Sequence, residues 1–208
     1  MYKVGKIKTV VVYMLLSGSL FLTACSNKKV EELRLSGIDQ LEKGKYEEAI
    51  DTLNQALQAG RGEVSETQFD ILLYRAEAEY MSGDLDACQT TIDTLRKVDG
   101  DQEAYVQFQT QLDAKRLVKE ASDALNDDDT ETAREKLDAA KAAGLTNDRD
   151  IDFDEVVYLE KTAQWEAAYD AVEKYLQNYP GDEAATREET FLKSRIEELK
   201  NNTALNEP

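Results

Sequence analysis

The sequence predicts an all-α chain of tandem helix hairpins, and three observations carry that expectation. From residue 30 onward Ala, Leu, Glu, Lys, Asp and Gln dominate, with apolar residues recurring at spacings of three and four, the period of a helix with one buried face. No stretch alternates with the period of two that a half-buried strand needs. Only two prolines occur, Pro180 and Pro208, so helices are almost nowhere interrupted.

The hairpins show in a pattern that recurs. Leu41 to Ile50 (LEKGKYEEAI) aligns with Tyr80 to Gln89 (YMSGDLDACQ). In each, a glycine ends one helix, a large apolar residue follows two positions later, and a small residue three further on. Gly44 and Gly83 are expected to take the left-handed conformation that closes a helix C-terminus. Tyr46 and Leu85 then wedge between the two helices, and Ala49 and Cys88 are small enough for close approach.

This pattern resembles the tetratricopeptide repeat, a helix hairpin of about 34 residues. Repeat one, residues 30–63, matches at Leu33, Gly37, Gly44, Tyr46, Ala49, Leu53, Ala56 and Leu57. Repeat two, residues 69–102, matches at Leu72, Ala76, Gly83, Leu85, Cys88, Ile92 and Leu95, although a small residue is usual at the last. Repeat three, residues 114–147, matches at Leu117, Ala121, Thr130, Ala133, Leu137 and Ala140, with Asp128 where the turn glycine belongs. Repeat four, residues 149–182, matches at Trp165, Ala168, Val172 and Pro180, while Asp152 occupies an expected large apolar position. Asp182 is expected to cap a last helix that buries Phe191, Ile196 and Leu199. The resemblance therefore implies an all-α, tetratricopeptide-like solenoid of about four hairpins plus a C-terminal capping helix over residues 30–200, with 201–208 frayed.

The start of the chain has a different logic. Lys3, Lys6 and Lys8 precede an apolar run from Val10 to Leu22, the layout of an export signal, and that run is shorter than the roughly 20 residues a spanning helix needs. Leu22-Thr-Ala-Cys25 resembles the lipobox of bacterial lipoproteins. The resemblance implies a signal peptide over 1–24, acylation of the Cys25 thiol, a short membrane tether over 25–29, and an extracytoplasmic protein held on a bacterial cell membrane by two or three acyl chains. If the source has an outer membrane, that is the expected location.

Composition removes several functions. The net charge is -18 over 208 residues, and the three lysines of the leader meet no acid there, so the remainder is more acidic still. Such a surface repels nucleic acid. Lys28 and Lys29 are placed to meet anionic headgroups beside the anchor. With Cys25 acylated, Cys88 has no disulfide partner, and the absence of histidine removes the commonest general base and metal ligand. Asp148, Asp150, Asp152 and Asp154 alternate like a calcium loop, but Phe153 stands where that loop needs glycine and Leu159 where it needs glutamate. They read instead as helix N-terminal acids. Trp165, Tyr169, Tyr175 and Tyr179 have the spacing of one packed helix face.

No enzyme, cofactor or metal is expected. The resemblance implies a concave groove lined by the first helix of each repeat, which places Arg34, Ile38, Leu73, Glu77, Tyr80, Val118, Ser122, Phe153 and Val157 there. These side chains either bind a partner or pack on one another as the superhelix tightens. The function expected is a membrane-anchored scaffold that binds a peptide or protein partner and assembles a cell-envelope complex, as a monomer. The alternative, a ligand-binding lipoprotein serving a transporter, usually requires two lobes and some strand.

Overall fold

The computed structural model describes residues 26–62, 64–146 and 148–204. The signal segment 1–24, Cys25 and the tail 205–208 lie outside the described residues. The described chain is all-α: nine helices follow one another as antiparallel hairpins, with no strand among the described residues. They form two compact units, 1–112 and 113–208.

The first unit contains α1 (Ser26–Glu42), α2 (Tyr46–Ala59), α3 (Glu66–Ser82), α4 (Leu85–Asp99) and the first part of α5 (Glu103–Asn126). The second holds the rest of α5, then α6 (Thr130–Ala142), α7 (Arg149–Lys161), α8 (Trp165–Asn178) and α9 (Glu183–Ala204). Helix α1 begins at Ser26, so residues 26–29, expected as tether, are helical. Helix α9 likewise runs through Asn201–Ala204, four residues into the expected tail.

The turn positions aligned from sequence share one geometry. Gly44, Gly83, Asp128 and Ala163 all adopt positive φ, at 74°, 87°, 60° and 57°. At each, the turn residue's N–H donates to the carbonyl three residues back, and the next N–H donates to the carbonyl five residues back, as with Asp128 to Leu125 and Asp129 to Ala124. These bonds satisfy carbonyls that the helix end would otherwise orphan. Asp84 and Asp129 then cap α4 and α6 with their side chains.

Five positions after each turn residue stands a small, fully buried side chain, Ala49, Cys88, Ala133 or Ala168. Nine positions after it stands a larger one, Leu53, Ile92, Leu137 or Val172, also without exposed surface. Small residues let the hairpin helices close, and the branched ones four positions on fill the space between hairpins. Cys88 is thus a packing residue.

The first unit's cores join Val30, Leu53, Ala56 and Ile71, and then Ala76, Ile92, Leu95, Tyr105, Phe108 and Leu112. The second unit's cores join Val118, Ala121, Leu137, Ala140 and Ile151, and then Val156, Val172, Tyr175, Ala185 and Leu192. Two expectations need correction. In α7 the large buried residue is Ile151, one position before Asp152, because Asp148 caps the helix directly ahead of it. In α9 it is Leu192 that is buried, while Phe191 is 48% exposed.

Buried polar bonds tie successive hairpins together in both units. In the first, Arg75 of α3 donates to Asn54 of α2 at 2.9 Å and to Thr91 of α4 at 2.8 Å. Thr91 in turn donates to buried Glu79 at 2.6 Å. Burial holds the Glu79 carboxyl above its ordinary value despite Thr91 and Arg75. In the second, Glu155 of α7 accepts from Arg134 at 2.7 Å and from Lys141. Burial raises Glu155, but those two cations outweigh it and hold the carboxyl below its ordinary range. Arg75 and Glu155 both stand eight positions before their turns, so one site serves the same purpose with opposite charges.

No helix among the described residues is long and apolar enough to cross a membrane.

Candidate functional site

The face worth testing is formed by the first helix of each hairpin, and each unit has its own. In the first unit it lies on α1 and α3. Ile38 and Glu77 are partly exposed, as is Leu73, which also packs against the core of α3–α5. Tyr80 is not part of this surface. It is only 8% exposed, and its ring meets Phe108 edge-on at 5.8 Å.

Arg34 is committed within the unit. Its Nε and one terminal nitrogen donate to Glu31 at 2.9 and 2.8 Å, and the other terminal nitrogen donates to Asp70 at 2.5 Å. The bonds to Glu31 raise the guanidinium pKa further and lower that of Glu31 itself. Asp70 is pushed above its ordinary value because burial outweighs the attraction of Arg34. The arginine is therefore a strut between α1 and α3, and its charge is already answered within the unit.

Tyr74, which sequence reasoning missed, completes this face. It is half-buried beside the first core, and its phenol is raised by burial first and then by Asp70, with Glu77 and Glu42 adding to the effect. A tyrosine one residue from a groove position has no distinct signal in the pattern of spacings. The face is acidic, with partly exposed apolar side chains beside the carboxylates.

In the second unit the face lies on α5 and α7. Val118 is 1% exposed and belongs to the core with Ala121, Leu137 and Ile151. Ser122 donates its hydroxyl to Asp154 at 2.5 Å. Burial pushes that carboxyl up to about 6, although the Ser122 bond pulls it the other way. Phe153 packs on the α7–α9 core with its ring 5.3 Å from Tyr175, and Val157 packs against Ala124, Leu125 and Ala133. The structure thus favours internal packing for Tyr80 and Val118 outright and for Phe153 and Val157 in part. Ile38, Leu73 and Glu77 keep surface.

The alternating aspartates of 148–154 are each engaged within the fold. Asp148 accepts from the N–H groups of Asp150 and Ile151, which caps α7, and from Lys115 at 2.8 Å. Lys115 also donates to Asp150 at 2.7 Å. Burial lowers the Lys115 pKa, but the two aspartates outweigh it. Asp152 accepts from Tyr179 at 3.3 Å, and the phenol is pushed up to about 12 by burial and by that carboxylate. Among the described residues no group of three or more such side chains is placed to hold a metal.

The α8–α9 corner is closed by a polar triad. Tyr175 donates to Asp182 at 2.7 Å, and Arg149 donates to the Tyr175 oxygen at 2.9 Å and to Asp182 at 2.6 Å. Asp182 also accepts from the N–H of Ala184 and so caps α9. The bonds from Tyr175, Arg149 and the helix N-terminus hold its carboxyl well below the usual range.

Helix hairpins in tandem, with shared turn geometry and their polar side chains spent on capping and bracing, define a repeat scaffold. Residues 40–112, from the end of α1 to the middle of α5, match the tetratricopeptide repeat family. No curated protein and no solved structure matches the chain. The matched family is one of protein-interaction scaffolds, typically non-catalytic, so the match implies protein partners in general.

Proposed function

We propose that the chain is a membrane-anchored, extracytoplasmic scaffold that binds a peptide or protein segment on the α1–α3 face of its first unit and so assembles a cell-envelope complex. The supporting observation is that the stretch matching an interaction repeat carries the groove positions Leu73 and Glu77, both partly exposed, with Asp70 on the same helix, while α1 just ahead of that stretch adds partly exposed Ile38 and the acid Glu31. Apolar side chains next to carboxylates suit a segment with apolar anchors and basic residues. Steering by the acidic face makes association slow as salt rises, while the apolar contacts leave dissociation nearly unchanged.

The anchor rests on the sequence Leu22 to Cys25 and the basic start of the chain. Changing Cys25 to Ala should release the protein from membranes or leave the precursor uncleaved. Normal processing with retained anchoring would remove the lipid from the proposal.

For the binding face, cross-linking in intact cells followed by purification from solubilised membranes identifies a partner. The combined Ile38→Ser and Glu77→Lys substitutions should then abolish its recovery while helix content stays the same. Undiminished recovery would place binding elsewhere.

A further inference from the structure

Asp154 and Ser122 join α7 to α5 inside the second unit. Asp154 is only 9% exposed, and its Oδ2 lies 2.5 Å from the Ser122 hydroxyl oxygen. The same hydroxyl lies 3.2 Å from the carbonyl oxygen of Val118, one turn back in α5. A serine hydroxyl has one proton to donate, and a carboxylate and a carbonyl both only accept, so with Asp154 ionised the two compete for that proton. With Asp154 protonated the competition ends. The carboxyl donates to the Ser122 oxygen, and the Ser122 hydroxyl is left to donate to Val118.

We propose that Asp154, Ser122 and Val118 form a proton-operated clasp, which holds α7 to α5 while the carboxyl is protonated and loosens when it ionises.

The clasp stands one turn along α7 from a brace that needs no added proton, where Lys115 of α5 donates to Asp148 at 2.8 Å and to Asp150 at 2.7 Å. Asp150 opposes a charge on Asp154 more strongly than Lys115 favours it, and Asp148 opposes it too. Elsewhere on α5, Lys119 pairs with Asp123. From α6, Arg134 and Lys141 are both bonded to Glu155, the neighbour of Asp154. From α8, Tyr179 donates to Asp152, and Lys174 attracts that same carboxylate. Burial is the first cause of the rise of the Asp154 carboxyl to about 6.

The sign follows from linkage. The closed clasp keeps a proton that the loosened one releases in the ordinary carboxylate range. Docking of α7 on α5 is therefore tightest below that range, weakens by up to about tenfold per pH unit as pH rises to about 6, and is level above it. Phe153 and Val157, on either side of the clasp, are packed in part within their own unit. Loosening α7 frees their surface, so pH sets how much apolar surface the α5–α7 face presents.

The experiment uses the full chain between about pH 5 and pH 7.5, reading carboxyl carbon resonances by NMR and amide hydrogen exchange corrected for the intrinsic pH effect. The Asp154 carboxyl should titrate at about pH 6. Protection in the middle of α7 and around Ser122 should fall by about tenfold between those limits, while the Lys115–Asp148 end keeps its own. Asp154→Asn supplies an amide donor to Ser122 at every pH, and should hold protection at its low-pH level throughout. Ser122→Ala removes the middle of the chain, and should lower protection at the acid end of the range. If Asp154→Asn does not fold, the titration and Ser122→Ala decide the matter. Titration of Asp154 in the ordinary carboxylate range, constant protection in the unmodified chain, pH dependence surviving in folded Asp154→Asn, or an unchanged profile in Ser122→Ala would each overturn the clasp.

Discussion

Gly37 lies inside α1, where a helix would ordinarily be stabilised by alanine. Replacing glycine by alanine in a helix interior gains about 1 kcal/mol. Here the new methyl would lie 2.6 Å from Leu53 Cγ and 2.7 Å from its Cδ2. Leu53 has no exposed surface and cannot swing aside. Overpacking of this kind costs about 1–3 kcal/mol. The two terms leave Gly37→Ala between neutral and about 2 kcal/mol destabilising. The decisive comparison is with Leu53→Ala, which alone should cost about 2–5 kcal/mol. With the leucine shortened, the methyl enters the space it vacated, so adding Gly37→Ala should restore about 1 kcal/mol or more. A coupling of about 1–3 kcal/mol, in the sense that the double variant is more stable than the sum of the singles, is the expected signature. Hydrogen exchange of α1 and α2 amides under native conditions measures it directly, without assuming that both units unfold together. If Gly37→Ala stabilises the unaltered chain by the full helix gain, or if the two substitutions add, the close approach of α1 and α2 at this point is wrong.

Other substitutions test the turns and the second unit. Ala49→Leu should cost about 1–3 kcal/mol by overpacking the first hairpin, whereas a similar change at the exposed neighbour Glu48 should stay within about 0.5 kcal/mol, both read by urea unfolding. Ala163 holds φ at 57°, so Ala163→Gly should stabilise α7–α8 by up to about 1 kcal/mol, while Gly83→Ala, at φ 87° with open space around it, should destabilise α3–α4 by about 1 kcal/mol. Asp154 is raised to about 6 in the fold, so the second unit should lose stability as pH rises from the ordinary carboxylate range to about 6 and stay level above it. Asp154→Asn should flatten that part of the pH profile, and an unchanged profile would assign it to other groups.

The hairpin order was legible because each turn constrains several residues at once. A left-handed residue, a wedge two positions later and a small residue at five leave a pattern that survives when glycine is replaced, as at Asp128 and Ala163. The start of a helix is less constrained, so Asp152 stood in the expected apolar position when the buried residue was its neighbour Ile151. In α9 the pairing partner is a single helix, and choosing between adjacent Phe191 and Leu192 needs the direction of approach, which no spacing encodes. The groove positions suffered similarly. Periodicity places Leu73 and Val118 alike, but only the packing of successive helices decides that Val118 is sealed and Leu73 keeps surface. Arg75, Thr91 and Asn54 meet across three helices, so these contacts leave no mark at any fixed distance along the chain.

Helix α5 begins with Tyr105, Phe108 and Leu112 in one unit's core and continues with Val118 and Ala121 in the other's. A protein cut at the boundary between the units would sever a continuous hydrogen-bonded ladder, exposing four carbonyls on one fragment and four N–H groups on the other. Neither half can be excised cleanly, and fragments able to fold must overlap across all 24 residues of α5, with each half carrying its own copy. Fraying that starts in either unit can also travel along this helix, so proteolysis of one half should respond to destabilising substitutions in the other.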